Sequence, residues 1–164
     1  MRAPASHMDA KPPSAASGTL LQLPRAVYAD LRAHGEEAYP SECCGVLLGQ
    51  PTPQGWLVAH AVRAVNAQAD TARNRYSIAP AELVRIVREA RECGLQVAGF
   101  YHSHPDHPAQ WSPTDLAEAH WIGCSYVITE VAQGRAAATR SFLLAGHGEE
   151  DKHFEPEPIH LLSE

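Results

Sequence analysis

Residues 95–115, LQVAGFYHSHPDHPAQWSPTD, connect an apolar run to a histidine-rich loop and then to the start of a helix. The apolar run is residues 95–102, and its near-continuous character is typical of a central strand that is covered on both faces. Ser112, Pro113 and Asp115 follow in the order of an N-cap, a first-turn proline and an acid near the helix dipole. The stretch therefore predicts a central strand, a polar loop and a short helix.

The flanking sequence alternates short apolar runs with helical repeats. Helices are predicted over residues 19–38, where an apolar side chain recurs every four positions, and over residues 80–94, which end at a glycine. Short apolar runs bounded by Gly and Pro predict two strand hairpins. The hairpin strands are residues 43–49 with 56–65 and residues 124–132 with 135–145. The remaining predicted elements are an extended piece at 76–78, a helix within 112–121 and an edge strand within 153–161. This order predicts an α+β domain with a mixed sheet flanked by helices.

Length and charge suggest how the chain is organised. The 164 residues suit one domain, and the formal net charge is −6. Six acidic residues lie in residues 149–164 beside a single lysine, so we predict an acidic C-terminal tail there. Residues 1–17 are rich in Ala, Pro and Ser and lack the apolar region of a secretory signal. We expect them to be a disordered segment or an expression-tag remnant, which leaves residues 18–148 as the domain.

Composition also limits the partners. No apolar run approaches the roughly 18 residues of a membrane-spanning helix, and no cluster of Lys or Arg argues for nucleic acid as the main partner. The four cysteines, Cys43, Cys44, Cys93 and Cys124, contain no CxxC pair, which favours a reducing compartment. We therefore expect a cytoplasmic protein without membrane contact, while its oligomeric state stays open.

His102 and His104 lie at the end of the predicted central strand. Residues two apart on a strand leave from the same face, with Cα atoms roughly 6.5 to 7 Å apart, so both rings can reach one ion. The loop before Asp115 is long enough to bring its carboxylate back to the imidazoles. Two His and one acid leave a fourth tetrahedral position open, which is the layout of a catalytic zinc site. The alternative is that the histidines are ordinary buried polar residues and that Ser112 and Asp115 form only a capping box.

The combined pattern resembles the motif of the JAMM (MPN-plus) metalloproteases, which are deubiquitinase-like zinc peptidases. That motif reads H-x-H-P, a loop, and S-x-x-D. The matching positions are His102, His104, Pro105, Ser112 and Asp115. Residues 41–49, SECCGVLLG, are similar to the earlier segment that carries the family's glutamate, which corresponds to Glu42. The resemblance extends over about residues 20–145.

The resemblance implies a curved mixed sheet with a layout like that of cytidine deaminases. It implies one zinc ion per chain, held by His102, His104 and Asp115. In that scheme Glu42 is the general base for a metal-activated water, and Ser112 donates to the oxyanion. The implied substrate is a ubiquitin-like protein of the sulfur-carrier type or its C-terminal tail, cut after Gly-Gly at a peptide or isopeptide bond. As a small stand-alone domain, the chain resembles bacterial members of the family that process sulfur-carrier proteins of ubiquitin fold.

Three rival functions remain to be weighed. A non-catalytic MPN scaffold or interaction module is one, although the complete ligand set argues against it. A DNA-repair-associated relative shares the same core motif, but this chain has no basic patch. A zinc nucleobase deaminase would need H-x-E and PCxxC ligands, which are absent.

A few other residues near the motif have two interpretations. His107 is a solvated loop residue, or else it replaces a ligand or contacts the substrate. Trp111 forms a wall of a substrate channel or packs under its own loop. Cys43 and Cys44 are expected to be small buried residues rather than zinc ligands. Residues 66–75 are a polar loop that could border the site.

Overall fold

A computed structural model describes residues 18–68 and 71–163. The expectations for residues 1–17 fall outside these residues. Within them, the chain forms eight strands and three helices. In chain order the elements are β1 (Leu20–Pro24), α1 (Arg25–Ala38), β2 (Cys44–Thr52), β3 (Gly55–Ala64), α2 (Pro80–Glu92), β4 (Gln96–Pro105), α3 (Pro113–Glu118), β5 (Ser125–Ala132), β6 (Arg135–Ala145), β7 (His153–Glu157) and β8 (Ile159–Leu162). None of these helices has the length and apolar composition that crossing a bilayer requires.

The eight strands form one mixed sheet in the order β7-β6-β5-β4-β2-β3-β1-β8. The central strand β4 runs parallel to β5 and antiparallel to β2. Strands β7 and β8 lie at opposite ends of the order, although only Pro158 separates them in the chain. The sheet must therefore curl until its two edges come close together. The predicted α+β class and the predicted central strand are both confirmed.

Each face of β4 packs against a different hydrophobic cluster. Phe100 belongs to the cluster that contains Ile86 of α2. Tyr101, the next residue, belongs to the cluster that contains Leu31 of α1. Burying one side chain of the size of Leu or Ile stabilises the fold by about 1.5–3 kcal/mol. The two clusters thus hold β4 between two helices, and its end is a rigid platform for the polar residues that follow.

Both predicted hairpins are present. Strands β2 and β3 pair antiparallel, as do β5 and β6. The second hairpin turns at Gln133 and Gly134, whose φ angles are 49° and 83°. Two consecutive residues with positive φ are typical of a type I′ turn, which suits the right-handed twist of the flanking strands.

The first predicted helix begins later than expected. Residues 20–24 form strand β1, and α1 starts only at Arg25. Leu21 and Leu23 alternate with more exposed neighbours and are completely buried. Strand β1 pairs in parallel with both β3 and β8, and these long-range pairings override the four-residue spacing of the apolar side chains.

Part of the predicted acidic tail lies inside the sheet. Residues 153–157 and 159–162 form β7 and β8, which agrees with the edge strand expected there. Glu157 is buried and accepts hydrogen bonds from the hydroxyls of Thr19 and Ser141, at 2.8 Å each. Because Thr19 precedes β1 and Ser141 lies in β6, this carboxylate ties together segments from opposite ends of the strand order. Residues 76–78, by contrast, form no strand.

Candidate metal centre

The end of β4 brings two imidazoles and one carboxylate together. His102 and His104 leave the same face of the strand, and their Nε2 atoms are 3.1 Å apart. One carboxylate oxygen of Asp115 lies 3.3 Å from Nε2 of His102, and the other lies 3.2 Å from Nε2 of His104. The structure thus assembles the three predicted metal ligands into one group that could hold a metal ion.

These distances fit a tetrahedral zinc site. Zinc bonds to His nitrogen and carboxylate oxygen are about 2.0–2.2 Å long, which places neighbouring ligand atoms of a tetrahedron about 3.3 Å apart. The two Nε2 atoms are 3.1 Å apart, and each lies 3.2 or 3.3 Å from a different oxygen of the Asp115 carboxylate. Two imidazoles and one carboxylate are also a common donor set of catalytic zinc, in which the fourth position stays open.

The orientation of His104 also favours a cation. Its Nδ1 lies 2.9 Å from the backbone carbonyl oxygen of Pro108, to which it can donate a hydrogen bond. A neutral imidazole that donates from Nδ1 presents a lone pair at Nε2. In this neutral form the lone pair faces the carboxylate of Asp115, whereas a protonated ring would donate a hydrogen bond to it. A cation bound in place of that proton suits the neutral form, and the Pro108 carbonyl then acts as the outer partner that orients a metal-bound histidine.

Helix α3 positions Asp115. The helix begins after Ser112, whose hydroxyl accepts a hydrogen bond from the backbone N–H of Asp115 at 3.1 Å. The Asp115 carboxylate in turn accepts from the backbone N–H of Ser112 at 2.8 Å. The capping box is therefore real, and the same carboxylate also faces the histidines. The two interpretations of the S-x-x-D pattern are compatible.

The hydroxyl of Ser112 keeps a proton to donate. In its hydrogen bond with Asp115 the Ser112 oxygen is the acceptor. Among the described residues, no acceptor takes the Ser112 hydroxyl proton. Ser112 is partly exposed at the edge of the cluster, so this O–H can reach a bound ligand.

Strand pairing brings Glu42 to the same place. Cys44 of β2 is the register partner of His102 in β4. The backbone N–H of Ser103 donates to the carbonyl of Cys43 at 3.3 Å, which continues the pairing by one residue. The next position along this antiparallel register sets Glu42 opposite His104. The Glu42 side chain is buried, with 5% of its surface exposed.

Burial controls the protonation of Glu42. It raises the pKa of the carboxyl to about 8, although the nearby His104 acts in the opposite direction. The negative charge of Asp115 raises the pKa further. A carboxyl group with a pKa close to neutrality can both accept and release a proton, which a general acid and base must do.

The same burial acts on the three predicted ligands with different results. It lowers the pKa of His102, against the pull of Asp115. For His104 burial also acts to lower the pKa, but hydrogen bonds with Asp115 and Pro108 outweigh it and raise the value. For Asp115 burial acts to raise the pKa, yet hydrogen bonds with both histidines hold it well below its usual range. Asp115 is therefore a carboxylate at neutral pH.

Two buried polar side-chain atoms in the described part of the chain have no hydrogen-bond partner. They are Oε2 of Glu42 and Nδ1 of His102. An unpaired buried polar atom costs about 1–3 kcal/mol, so such atoms are rare without a functional cause. Both atoms belong to this one cluster, which supports a functional site rather than an incidental meeting of polar residues.

Sequence reasoning missed three residues that support the site. The ring of Tyr76 stacks on the ring of His102 at 4.4 Å, and the Pro108 carbonyl orients His104. Asn66 donates to the carbonyl of Glu42 at 3.1 Å. Asn66 is the first residue of the polar loop that was expected to border a site, Tyr76 follows that loop, and this position was the only signal for them.

The structure also places the residues near the motif that had two interpretations. His107 is exposed in the loop after β4. Trp111 packs on Phe154 with ring centres 5.6 Å apart. Cys43 and Cys44 are buried, and burial raises the pKa of the two thiols to about 11 and about 12, so neither is a ready thiolate ligand.

Solved structures with this arrangement of strands and helices exist. The solution structure of protein DSY2949 from Desulfitobacterium hafniense matches with a TM-score of 0.74 and 28% identity, over 88% of this chain and 94% of that one. The solution structure of a protein from Salinibacter ruber matches with a TM-score of 0.65 and 38% identity, over 86% of this chain and 90% of that one. The fold is therefore an established class of small α+β domain with a curled mixed sheet.

The chain belongs to the family of prokaryotic homologues of the JAB domain, whose model matches residues 24–145. A relative named desampylase, from Haloferax volcanii, is 38% identical over 89 residues, which are 54% of this chain and 62% of that protein. A relative from Thermus thermophilus, named a probable TtuB-protein conjugate cleaving protease, is 29% identical over 66% of this chain and 70% of that protein. The chain thus spans less than two thirds of the length of the first relative. The expected resemblance to the JAMM/MPN family is confirmed.

Proposed function

We propose that this chain is a zinc-dependent peptidase or isopeptidase that hydrolyses the bond after the C-terminal Gly-Gly of a ubiquitin-like protein. The observation that carries this proposal is the convergence of His102, His104 and Asp115, whose facing atoms are 3.1 to 3.3 Å apart, with the buried Glu42 near His104 and Asp115. The names of two relatives, desampylase and a conjugate-cleaving protease, support the same class of substrate.

His102, His104 and Asp115 would hold the zinc ion. When bound, zinc supplies Lewis acidity, which activates water and polarises the scissile carbonyl. Asp115 supplies the negative charge of the site, and its position is fixed by the backbone N–H of Ser112. The Pro108 carbonyl and the ring of Tyr76 fix the two imidazoles.

Glu42 moves the proton. Its carboxylate takes a proton from the attacking water, holds it while the tetrahedral intermediate exists, and delivers it to the leaving nitrogen. Burial raises its pKa to about 8, so the protonated form is accessible at neutral pH. The unpaired Oε2 atom is free to accept this proton. A positive charge in the site would favour the ionised form at the start of the reaction.

Ser112 stabilises the carbonyl oxygen. Its hydroxyl proton is not used by the capping box, where the oxygen is only an acceptor. The O–H can therefore donate to the oxygen of the scissile carbonyl as negative charge develops there. A donor of this kind contributes about 2.7–4 kcal/mol to the rate in other enzymes.

The test uses a ubiquitin-like protein that ends in Gly-Gly and is joined to a reporter, either through the peptide bond or through a lysine side chain. We expect the zinc-loaded protein to release the reporter, a chelator to stop release, and added zinc to restore it. A protein that binds zinc but cuts neither fusion would contradict the proposal and favour the scaffold function.

A further inference from the structure

An aromatic cavity lies directly beside the candidate metal centre. Its volume is about 310 Å³, and Tyr76, Phe100, Trp121 and Tyr126 line it. The ring of Tyr76 also stacks on His102. Phe100 precedes His102 by two residues on β4 and leaves from the same face of the strand. The cavity therefore lies next to the metal ligand His102.

A second cavity lies beside the first, along helix α2. It has a volume of about 480 Å³ and shares Leu83 and Trp121 with the first. Val84 and Val87 add apolar surface to it, and Arg88 and Arg91 line it as well. We call the two neighbouring cavities together the α2 groove. The groove runs from the metal centre to the C-terminal half of α2.

The groove exposes apolar surface that the fold does not use. Val84 is 57% exposed and Trp121 is 38% exposed, and both are among the few large hydrophobic side chains exposed in the described residues. Neighbouring exposed apolar side chains that form a concave surface typically mark a binding site.

The charges along the groove differ from those of the whole chain. Arg85 forms an ion pair with Glu89 at 3.2 Å on the outer side of α2. Arg88 and Arg91 have no carboxylate within ion-pair distance among the described residues. Glu92 is the single carboxylate that lines the second cavity, so the rim of that cavity is net positive. Glu118 lines the first cavity, where it forms an ion pair with Arg75. A net negative protein that keeps two free arginines beside an apolar groove is suited to a ligand with both apolar and acidic side chains.

The dimensions match an extended peptide. Two glycines in extended conformation cover about 7 Å, and Tyr76, which lines the aromatic cavity, has its ring centre 4.4 Å from that of His102. From Leu83 to Arg91 the helix rises about 12 Å. The total of about 19 Å corresponds to about six residues of extended chain. A tail that ends at the metal centre would thus place the side chain before Gly-Gly in the aromatic cavity and a residue three or four positions earlier beside the arginines.

We infer that the α2 groove binds the C-terminal tail of the ubiquitin-like substrate and selects tails with an apolar residue before Gly-Gly and an acidic residue a few positions upstream. This inference rests on the proposed function. The two C-terminal glycines of the tail have no side chains, so the tail can approach the metal centre closely. Trp121 and Phe100 contact the apolar side chain of the tail. Arg88 and Arg91 attract its acidic side chain.

The experiment compares two fusions that differ in one tail position. Both have valine before Gly-Gly and the same reporter after it, and the upstream residue is aspartate in one and lysine in the other. Exposed charge pairs are individually weak, so we expect a KM about fivefold lower for the aspartate tail at low ionic strength. This preference should shrink as salt is added.

Reversing the charge of the two arginines tests whether they cause the preference for the aspartate tail. In the double variant Arg88→Glu with Arg91→Glu, we expect the lysine tail to have the lower KM. The matched control is Arg135→Glu with Arg140→Glu on the exposed side of β6, which changes the net charge equally and should keep the preference for aspartate. An unchanged preference in the α2 variant, or an equal inversion in the control, would overturn the inference.

A binding measurement separates this inference from the proposed function. A labelled tail peptide with aspartate is mixed with the metal-free protein, and its fluorescence anisotropy is followed at low salt. We expect weaker binding to the Arg88→Glu, Arg91→Glu variant and unchanged binding to the β6 control. If no fusion is cut but the peptide still shows this pattern, the proposed function fails and the groove stands. If fusions are cut but neither KM nor anisotropy responds to the arginines, the groove fails and the proposed function stands.

Discussion

Both faces of β4 carry buried polar side chains, but the hydrogen-bond partners of these side chains differ between the two faces. On the α1 face, the hydroxyl of Tyr101 lies 2.7 Å from Nδ1 of His34, and Ser103 accepts from the backbone N–H of Cys43 at 2.8 Å. On the α3 face, His102 and His104 point at each other and at a carboxylate. Polar groups that satisfy each other stabilise a fold. Two imidazole nitrogens that converge on one carboxylate indicate a place for a metal ion.

This contrast predicts that substitutions on the α3 face remove function and that substitutions on the α1 face remove stability. The largest effect is expected for Glu42→Gln. The amide cannot accept the proton from water, so cleavage should fall by about 10³-fold, within the range usual for general acid and base groups. The amide has nearly the same shape, and Glu42 is not a ligand, so zinc content should stay near one per chain.

Single-turnover cleavage and elemental analysis of the same preparation check this prediction. Glu89→Gln on the exposed surface of α2 is the matched control and should behave like the wild type. Retained cleavage in Glu42→Gln would remove Glu42 from the proposed mechanism.

The second effect is expected for Ser112→Ala. Loss of the oxyanion donor should lower kcat by about 10²- to 10³-fold. Loss of the N-cap should also reduce the free energy of unfolding by about 1 kcal/mol. Ser112→Thr keeps both the hydroxyl and the cap, so it should recover most of the rate and most of the stability. If alanine lowers the stability but leaves kcat unchanged, Ser112 is only a cap.

On the α1 face, Tyr101→Phe should act in the opposite way. The substitution leaves Nδ1 of His34 without its partner, and we expect the free energy of unfolding in urea to fall by about 1–2 kcal/mol. Zinc content and cleavage rate should remain those of the wild type, because Tyr101 faces away from the metal centre. A loss of zinc in this variant would show that the two faces are not independent.

The smallest effect is a pH dependence. Burial, with Arg63 adding to it, lowers the pKa of His34 below its ordinary value near 6.5. The unfolded chain therefore binds a proton at a higher pH than the folded chain, and the stability that neutral His34 provides is lost as pH falls below about 6.5. His34→Gln cannot titrate, so between pH 7 and pH 5 it should lose less stability than the wild type. Urea unfolding at both pH values measures this, and equal losses would contradict the assigned pKa shift.

The α3 face was largely predictable from the sequence because its information is local. An apolar run, an H-x-H pair and an S-x-x-D cap lie within residues 95–115, so strand periodicity and capping rules place His102, His104 and Asp115 together. Strand β1 was not predictable in the same way. A spacing of four residues around Leu23 is compatible with a helix, and only pairing with the distant β3 and β8 makes it a strand.

The position of Glu42 in the site could not be predicted from local sequence patterns. It lies sixty residues before His102, and its place depends on the register between β2 and β4, which the sequence of either strand alone does not determine. The resemblance to the JAMM family supplied this residue, and strand pairing gives the physical reason for it. Tyr76 and Pro108 depend on loop packing and had no comparable signal.

The most direct test of the central claim is the zinc content of the purified, zinc-reconstituted chain beside Asp115→Asn and Tyr101→Phe. Asparagine keeps an oxygen for the backbone N–H of Ser112, so helix α3 stays capped while the negative charge at the metal centre is lost. We predict about one zinc per chain in the wild type and in Tyr101→Phe, and far less in Asp115→Asn, with unchanged circular dichroism in all three. Little zinc in the wild type, or equal zinc in Asp115→Asn, would contradict the assignment of the α3 face of β4 as a metal centre.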